Sequence, residues 1–459
     1  MQTRVQSLNV ALEHLKAGRF DQCAALCRPL LAADPMDIDA RFFLGVCLAT
    51  GGQIDEAIAY LTQVVEAMPE HIDAKRELAR MLQAQGLALV DQGRMDDALA
   101  AFGRGVATDP MNAAAHANLA HALATEGRFA ESLAATSDAL RVSPTDIPIH
   151  INHAVALLKS GRLQEGWAAH EWRHKHPGRE KLPPALMLPK LKHLGGVKGR
   201  TIVIYHEEGF GDTIQYLRYA QLLTQAGAHV ILWVPEELAR LARGQADIAE
   251  VLTGNVNLPK FDFHCPIISL PYVFDTAIET IPARTPYIRA DSALAATLAA
   301  RLPAGKRVGL VWSGEPRSYD PAAQALDRRR SLPLAALAPL TALPGLTFVS
   351  LQVGPAQSQI TPGIHNPMGG VKDFADTAAI IANLDLVVSV DTAVAHLAGA
   401  MGKPVFLLDR YDNCWRWLHG RTDSPWYPTM RIFRQAKMGD WSEPAAQVAE
   451  AVKMHFADG

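Results

Sequence analysis

The sequence predicts an α + α/β protein: an N-terminal α-helical superhelix followed by a pair of Rossmann-like α/β lobes. Three observations carry that reading. Glycines recur at Gly18, Gly52, Gly93, Gly127 and Gly161, with steps of 34 residues and one of 41. Prolines recur in register at Pro35, Pro69, Pro110 and Pro144. From Thr201 onward, short Val- and Ile-rich runs alternate with Ala- and Leu-rich helical stretches.

Each glycine supplies the left-handed backbone that a tight helix–helix turn needs. Each proline stops the second helix of its pair, because it has no N–H to give. The second helices carry one apolar face: Ile54, Ala57, Ile58, Leu61 and Val65, then Met95, Ala98, Leu99, Phe102 and Val106. A 34-residue helix–turn–helix period is the tetratricopeptide pattern. Leu44, Gly45 and Leu48 stand where that repeat packs its first helix. The long step adds about two helical turns, so the apolar face keeps its phase and a longer first helix is expected there. About five repeats fill residues 1–177. The last is degenerate: Trp167, His170, Trp172, His174 and His176 replace small packing residues, as expected of a cap that meets the next domain. The concave face of such a stack suits a peptide or protein partner; a purely structural or dimerising stack is the competing reading.

A chain of 459 residues, 49% hydrophobic and 20% charged, holds several folded domains and is not a disordered chain. A net charge of -3 offers no basic excess for nucleic acid or an anionic membrane. Arg4, Glu13, Lys16 and Arg19 interrupt the N-terminus, so no signal peptide is expected. Asp385, Asp391, His396 and Lys403 break the most apolar segment, so no membrane span is expected. The five cysteines, Cys23, Cys27, Cys47, Cys265 and Cys414, form no disulfide framework and fit a reducing, cytoplasmic setting. Cys23 and Cys27 lie one helical turn apart, but no second pair follows at zinc spacing, so both are expected in the core.

Residues 178–198, proline-rich and closing on Gly195-Gly196, read as a surface linker. Beyond it the expected strands are 201–205, 229–234, 263–269, 307–312, 346–351, 386–390 and 405–408, in two parallel-sheet lobes at 199–300 and 301–459. Ligands bind such sheets beyond the carboxyl ends of the strands. After the first strand comes His206-Glu207-Glu208-Gly209-Phe210-Gly211-Asp212-Thr213. Gly209 and Gly211 allow a tight turn, and Asp212 is placed to cap the helix or to act as a general base. After strand 386–390 come Asp391, Thr392 and Ala393, opening a helix whose free N–H groups form an anion site, with His396 on the same face. A plain strand–helix joint with a buried histidine is the alternative there. Ser313 and Gly314 follow one strand and Gln352 another. The run Arg328-Arg329-Arg330 is by default a solvated loop; its position between strands favours Arg330 as a phosphate fork. The aromatics around Trp415 and Trp426 are expected to pack the C-terminal lobe, with one or two available to stack on a base or sugar. No Asp-x-Asp motif stands at a strand end, so no metal or other cofactor is expected.

These residues together resemble bacterial tetratricopeptide-containing glycosyltransferases of the heptosyltransferase-like group, over about residues 200–441. The carrying motifs are 209–213, Trp312-Ser313-Gly314, Arg330-Ser331, Leu351-Gln352, 391–400, Trp415-Arg416-Trp417 and 424–428. The resemblance implies a GT-B fold, with the acceptor on the first lobe and a nucleotide-sugar on the second, and metal-independent inverting transfer. It maps Asp212 to the catalytic aspartate, Thr392, Ala393 and His396 to the donor-phosphate site, Ser313 and Gly314 to a donor-side loop and Gln352 to the nucleotide region. Gly209, Gly211, Arg330 and Asp391 join the donor-binding set, and Thr213, Gln215, Trp415 and Arg416 stand as further donor or acceptor contacts. The sequence departs from the group at Glu315, in the basic run 328–330, and in its short first lobe. A protein acceptor held by the repeats, as in flagellin-modifying transferases, is favoured over a saccharide or lipid. A non-catalytic scaffold with a degenerate transferase half is the alternative from another class.

Overall fold

A computed structural model describes residues 3–178, 182–316 and 320–457. The chain divides into two compact units, Met1–Ala156 and Leu157–Gly459.

The first unit is built of helix pairs: α1 (Arg4–Lys16), α2 (Phe20–Ala33), α3 (Ile38–Thr50), α4 (Ile54–Ala67), α5 (Ile72–Asp91), α6 (Met95–Thr108), α7 (Ala113–Thr125), α8 (Phe129–Val142) and the greater part of α9 (Ile147–Lys159). Gly18, Gly52, Gly93 and Gly127 all take positive φ, between 71 and 76°, at the turns inside the pairs. The seven-residue insertion lengthens one helix: α5 has 20 residues where α3 and α7 have 13. Gly45 of α3 is a packing glycine, since a Cβ there would stand 2.9 Å from Leu61 Cγ. Cys23, Cys27 and Cys47 are buried together with Leu44 and Leu61 in the core of the first pairs.

The second unit begins earlier than the expected boundary at 177. Helix α10 (Leu163–His170) and the 3-10 turn Glu171–Lys175 belong to it. The reason is packing: Trp167 is fully buried, with its ring edge-on to Tyr216 at 6.1 Å, Trp415 at 5.2 Å and Trp426 at 6.5 Å. The expected linker is also more than a surface tether. Residues 179–181 lie outside the described residues, but Leu188 N–H donates to His264 O at 2.8 Å and Leu191 N–H to Val273 O at 2.8 Å.

The first lobe alternates β1 (Thr201–Tyr205), α11 (Phe210–Gln225), β2 (His229–Trp233), α12 (Glu236–Arg243), β3 (Glu250–Leu252), β4 (Phe263–Pro266) and α13 (Leu270–Val273), and α14 (Ser292–Ala299) leads out of it. The second lobe holds β5 (Lys306–Val311), α15 (Pro321–Arg330), α16 (Ala338–Thr341), β6 (Leu346–Ser350), β7 (Ile364–His365), α17 (Phe374–Ala382), β8 (Leu386–Val390), α18 (Ala393–Ala400), β9 (Val405–Asp409), β10 (Met430–Arg434) and α19 (Ser442–Ala457). The sheet orders are β3-β2-β1-β4 and β10-β9-β8-β5-β6-β7, and every pairing is parallel. Both sheets are buried on two faces, as parallel sheets must be. In β8 the alternation is visible residue by residue: Val387 joins the core shared with the first lobe, while Val388 and Val390 face the core under α19.

These orders fix where a ligand can sit. In the first lobe the chain runs outward from β1 through β2 to β3, then returns to place β4 on the other side of β1. In the second it runs from β5 outward to β7 and returns with β8 on the other side of β5. The two switch points lie between β1 and β4 and between β5 and β8, where loops diverge and leave a crevice. The segments that follow β1, β5 and β8 are those carrying Asp212, Ser313-Gly314 and Asp391-Thr392.

Candidate active site

On the first lobe, β1 ends at Tyr205 and the chain turns sharply, with Glu208 at φ 65° before Gly209. Gly209 is the N-cap of α11, and its N–H donates to Asp212 Oδ2 at 3.2 Å, so Asp212 does cap the helix. Its other oxygen, Oδ1, accepts from Arg416 Nε at 2.8 Å and from Nη2 of the same guanidinium. Capping and ion pairing thus use opposite oxygens of one buried carboxylate. Burial pushes the Asp212 carboxyl up, while Arg416 and the Gly209 amide pull it down. Thr213 Oγ1 meets His206 Nδ1 at 2.7 Å. Gln215 is fully buried, and neither end of its amide has a partner among the described residues.

On the second lobe, Thr392 is the N-cap of α18 but makes no side-chain cap; its Oγ1 meets Ser389 Oγ at 3.2 Å. The first amides of α18 therefore keep their anion-attracting character. Arg330 Nη1 donates to Asp391 O at 3.1 Å, which sets a guanidinium beside this helix end. Asp391 also lies 4.0 Å from His396 Nε2 and 3.9 Å from Arg410 Nη1. His396 is buried, stacked on Trp417 with ring centroids 4.9 Å apart, and its Nδ1 is 2.9 Å from Tyr427 Oη. Burial lowers its pKa to about 3, against a smaller upward pull from Asp391. The imidazole is neutral at physiological pH, so it offers a hydrogen-bonding ring and not a cation.

The two lobes meet here. A Cβ on Gly211 would stand 2.7 Å from His396 Cδ2 and 3.6 Å from Ala393 Cα. Gly211 is therefore a close-approach glycine, and it brings the α11 N-terminus onto the first turn of α18. The structure places Gly209, Gly211, Asp212, Asp391, Thr392, Ala393, His396 and Arg416 in one neighbourhood.

Other expected residues play supporting parts. Gln352 Oε1 accepts from the N–H groups of Trp312 and Ser313 at 3.1 and 3.0 Å, and its Nε2 donates to Ser313 O and Val353 O. Its amide is thus spent holding the loop after β5. Gly314 N–H donates to Ser331 Oγ at 3.0 Å, and Arg330 and Asp327 leave no room for a side chain at 314. Trp415 is a packing residue, between Trp167 and the Arg416 guanidinium 4.1 Å from its ring centre. The basic run is not a solvated loop. It forms the last turn of α15, where Arg330 pairs with Asp327 and Arg329 with Asp412 at 3.0 Å, and only Arg328 of the three is exposed.

Sequence reasoning missed a second tier of charge. Arg410, straight after β9, lies 2.8 Å from Asp412, and burial drives Lys159 beside it down to about 8. Arg173 forks Glu207 of the loop after β1, at 3.0 and 2.9 Å, and also reaches Glu171 and Ser269. Asp409-Arg410 at a strand's carboxyl end was a usable signal for the first group. Glu207 and Ser269 lie 34 and 96 residues from Arg173, too far in sequence for any spacing rule.

Comparison with known proteins places this geometry. Residues 14–75 and 84–147 match tetratricopeptide repeat families, and residues 358–434 match glycosyltransferase family 9 (heptosyltransferase). These matches pair tetratricopeptide repeats with a segment similar to family 9 glycosyltransferases. The chain is similar to Protein FlbA of Caulobacter vibrioides, 29% identical over 320 residues, covering 63% of this chain and 52% of that one; the chain spans about half the length of this curated relative. Among solved structures it is similar to MamA from AMB-1 (23% identity, 40% of this chain and 96% of that one, TM-score 0.32). It is also similar to YrrB, described as a TPR protein with an unusual peptide-binding site (17% identity, 39% and 88%, TM-score 0.32). The family 9 match includes Asp391, Thr392, Ala393, His396 and Arg416 and leaves out Asp212. Among the described residues no helix is long and apolar enough to cross a membrane, and no three His, Cys, Asp or Glu side chains are grouped to hold a metal ion.

Proposed function

We propose that the second unit transfers a sugar from a nucleotide-sugar to an acceptor hydroxyl, with inversion and without a metal, and that the acceptor is a protein segment presented by the repeats. One observation carries the reading: the carboxylate opening α11 and the amides opening α18 meet at the Gly211–His396 contact, at the switch points of two parallel sheets. Asp212 takes the proton of the acceptor hydroxyl as its oxygen attacks the anomeric carbon. The bond to the phosphate oxygen breaks on the opposite face, and the charge left on the phosphate is met by the α18 amides, Arg330 and neutral His396. Ser313 and Gly314, held by Gln352 and Ser331, border the donor side.

Purified protein incubated with a panel of nucleotide-sugars tests this. Release of nucleotide that depends on one sugar supports it, and Asp212→Asn should abolish that release while the fold is kept. A second reading, a scaffold that has lost transfer, is favoured by the ion pair that occupies Asp212. It prevails if no donor raises the melting temperature and none is turned over.

A further inference from the structure

The proposed base is paired within the protein, to Arg416. Arg416 is packed against it, partly buried, and both of its contacts, from Nε and Nη2, fall on the single oxygen Oδ1. This is not the parallel two-oxygen fork that holds an arginine most firmly. The remaining amine, Nη1, is spent on Cys414 Sγ at 2.9 Å, a weak acceptor. Among the described residues Asp212 is the guanidinium's sole oxygen partner. Arg416 also lies close enough to Asp391 and His396 to act on both electrostatically.

We propose that Arg416 is an exchangeable mask: it pairs with Asp212 while the site is empty and transfers to the diphosphate of an incoming nucleotide-sugar, baring the carboxylate once the donor is loaded. This rests on the transferase reading of the same site. The exchange trades one anionic partner for a doubly charged one that the α18 amides and Arg330 already attract. It makes Arg416 a donor-binding residue and ties acceptor activation to donor occupancy.

Isothermal calorimetry on the full chain with inorganic pyrophosphate as probe measures the exchange. Asp212→Asn removes the competing charge, so pyrophosphate should bind about tenfold more tightly than to the wild type, while Arg416→Ala should bind it about tenfold less tightly. In the double variant most of the gain from Asp212→Asn should vanish, because the freed guanidinium is its source. No gain in Asp212→Asn, an equal gain in the Arg416→Ala background, or no pyrophosphate binding by the wild type overturns the proposal. Should Asp212→Asn fail to fold, a crystal structure of the unmutated chain with pyrophosphate decides: Arg416 on phosphate and off Asp212 supports the exchange, and Arg416 still on Asp212 refutes it. Neither readout needs turnover. Failure of the transferase reading alone would show as intact pyrophosphate exchange with no sugar-dependent nucleotide release.

Discussion

Gly211→Ala is the sharpest test of how the two lobes meet. The added methyl would stand 2.7 Å from His396 Cδ2 and 3.3 Å from Nε2. Carbon atoms rest about 3.5–4.0 Å apart, so roughly 1 Å must be found. His396 has nowhere to yield it, since its ring is stacked on Trp417 and its Nδ1 is bonded to Tyr427. Overpacking of this kind costs about 1–3 kcal/mol. Alanine recovers up to about 1 kcal/mol of helix propensity. The net expectation is a loss of about 0–2 kcal/mol, or roughly 2–4 °C in melting temperature per kcal/mol lost. All eight tryptophans lie beyond residue 157, so intrinsic fluorescence in urea reports the second unit alone. Combining Gly211→Ala with His396→Ala should cost less than the sum of the two, because the second change vacates the space the first needs. Strict additivity in the double variant would refute the contact and with it the meeting of the two helix ends.

Three further outcomes follow from the same coordinates. A fragment beginning near residue 146 should show the native fluorescence transition, whereas one beginning at 177 should not fold, because it lacks Leu158, Leu163, Trp167 and Arg173; circular dichroism and urea melts separate the two. Burial lowers both His170 and His396 to about 3 from an unfolded value of 6.5. The unfolded chain then binds more protons between those values, so stability falls as pH drops from about 6.5 toward 3, at up to about 1.4 kcal/mol per pH unit for each histidine; His396→Asn should make that slope shallower in fluorescence-monitored urea melts. Arg240 of α12 is half exposed and forks Asp373 and Asp376 of α17, so Arg240→Ala should cost under about 1 kcal/mol, and less in high salt, as melts at two ionic strengths would show.

Much of the architecture was legible in the sequence, because it is governed by local rules. A glycine that needs positive φ and a proline that ends a helix leave a period that survives every other change. Strands buried on two faces leave continuous Val and Ile runs, and seven of the ten strands among the described residues are readable that way. The three missed, β3, β7 and β10, are short or sheet-edge strands with Glu250, His365 or Arg431 in their runs, so the apolar signal is diluted. The site was half legible. Asp212 and Thr392 follow strands and open helices, which sequence can say. That Gly211 touches His396, that Arg416 covers Asp212, and that Gln352 is used up within the protein are tertiary facts with no local signature. The helical turn at 328–330 was misread for the same reason: its acceptors, Asp391 O and Asp412, come from strands far along the chain.

The choice between transferase and scaffold turns on where the structure accepts free-energy cost. A buried ion pair is commonly no better for stability than a well-packed apolar pair of the same volume. Leu418, two residues beyond Arg416, has φ 54° and ψ 158°, a region that glycine occupies and leucine avoids at about 1–3 kcal/mol. It is held there by Asn413 Nδ2 and Arg434 Nη2, both 2.9 Å from its carbonyl oxygen. On the opposite lobe Glu208, just before the Asp212 cap, is also at positive φ. A scaffold gains nothing from concentrating a largely buried charge pair and two strained residues at one junction of two lobes, since apolar packing would hold the lobes as well. An enzyme that must present a carboxylate and a charged helix end to a passing substrate needs that concentration there. The distribution of cost therefore weighs toward chemistry at Asp212, and replacing Arg416 and Asp212 together by Met and Leu supplies the measure: a double variant more stable than the wild type in urea would mean that the pair is kept for a purpose other than holding the fold.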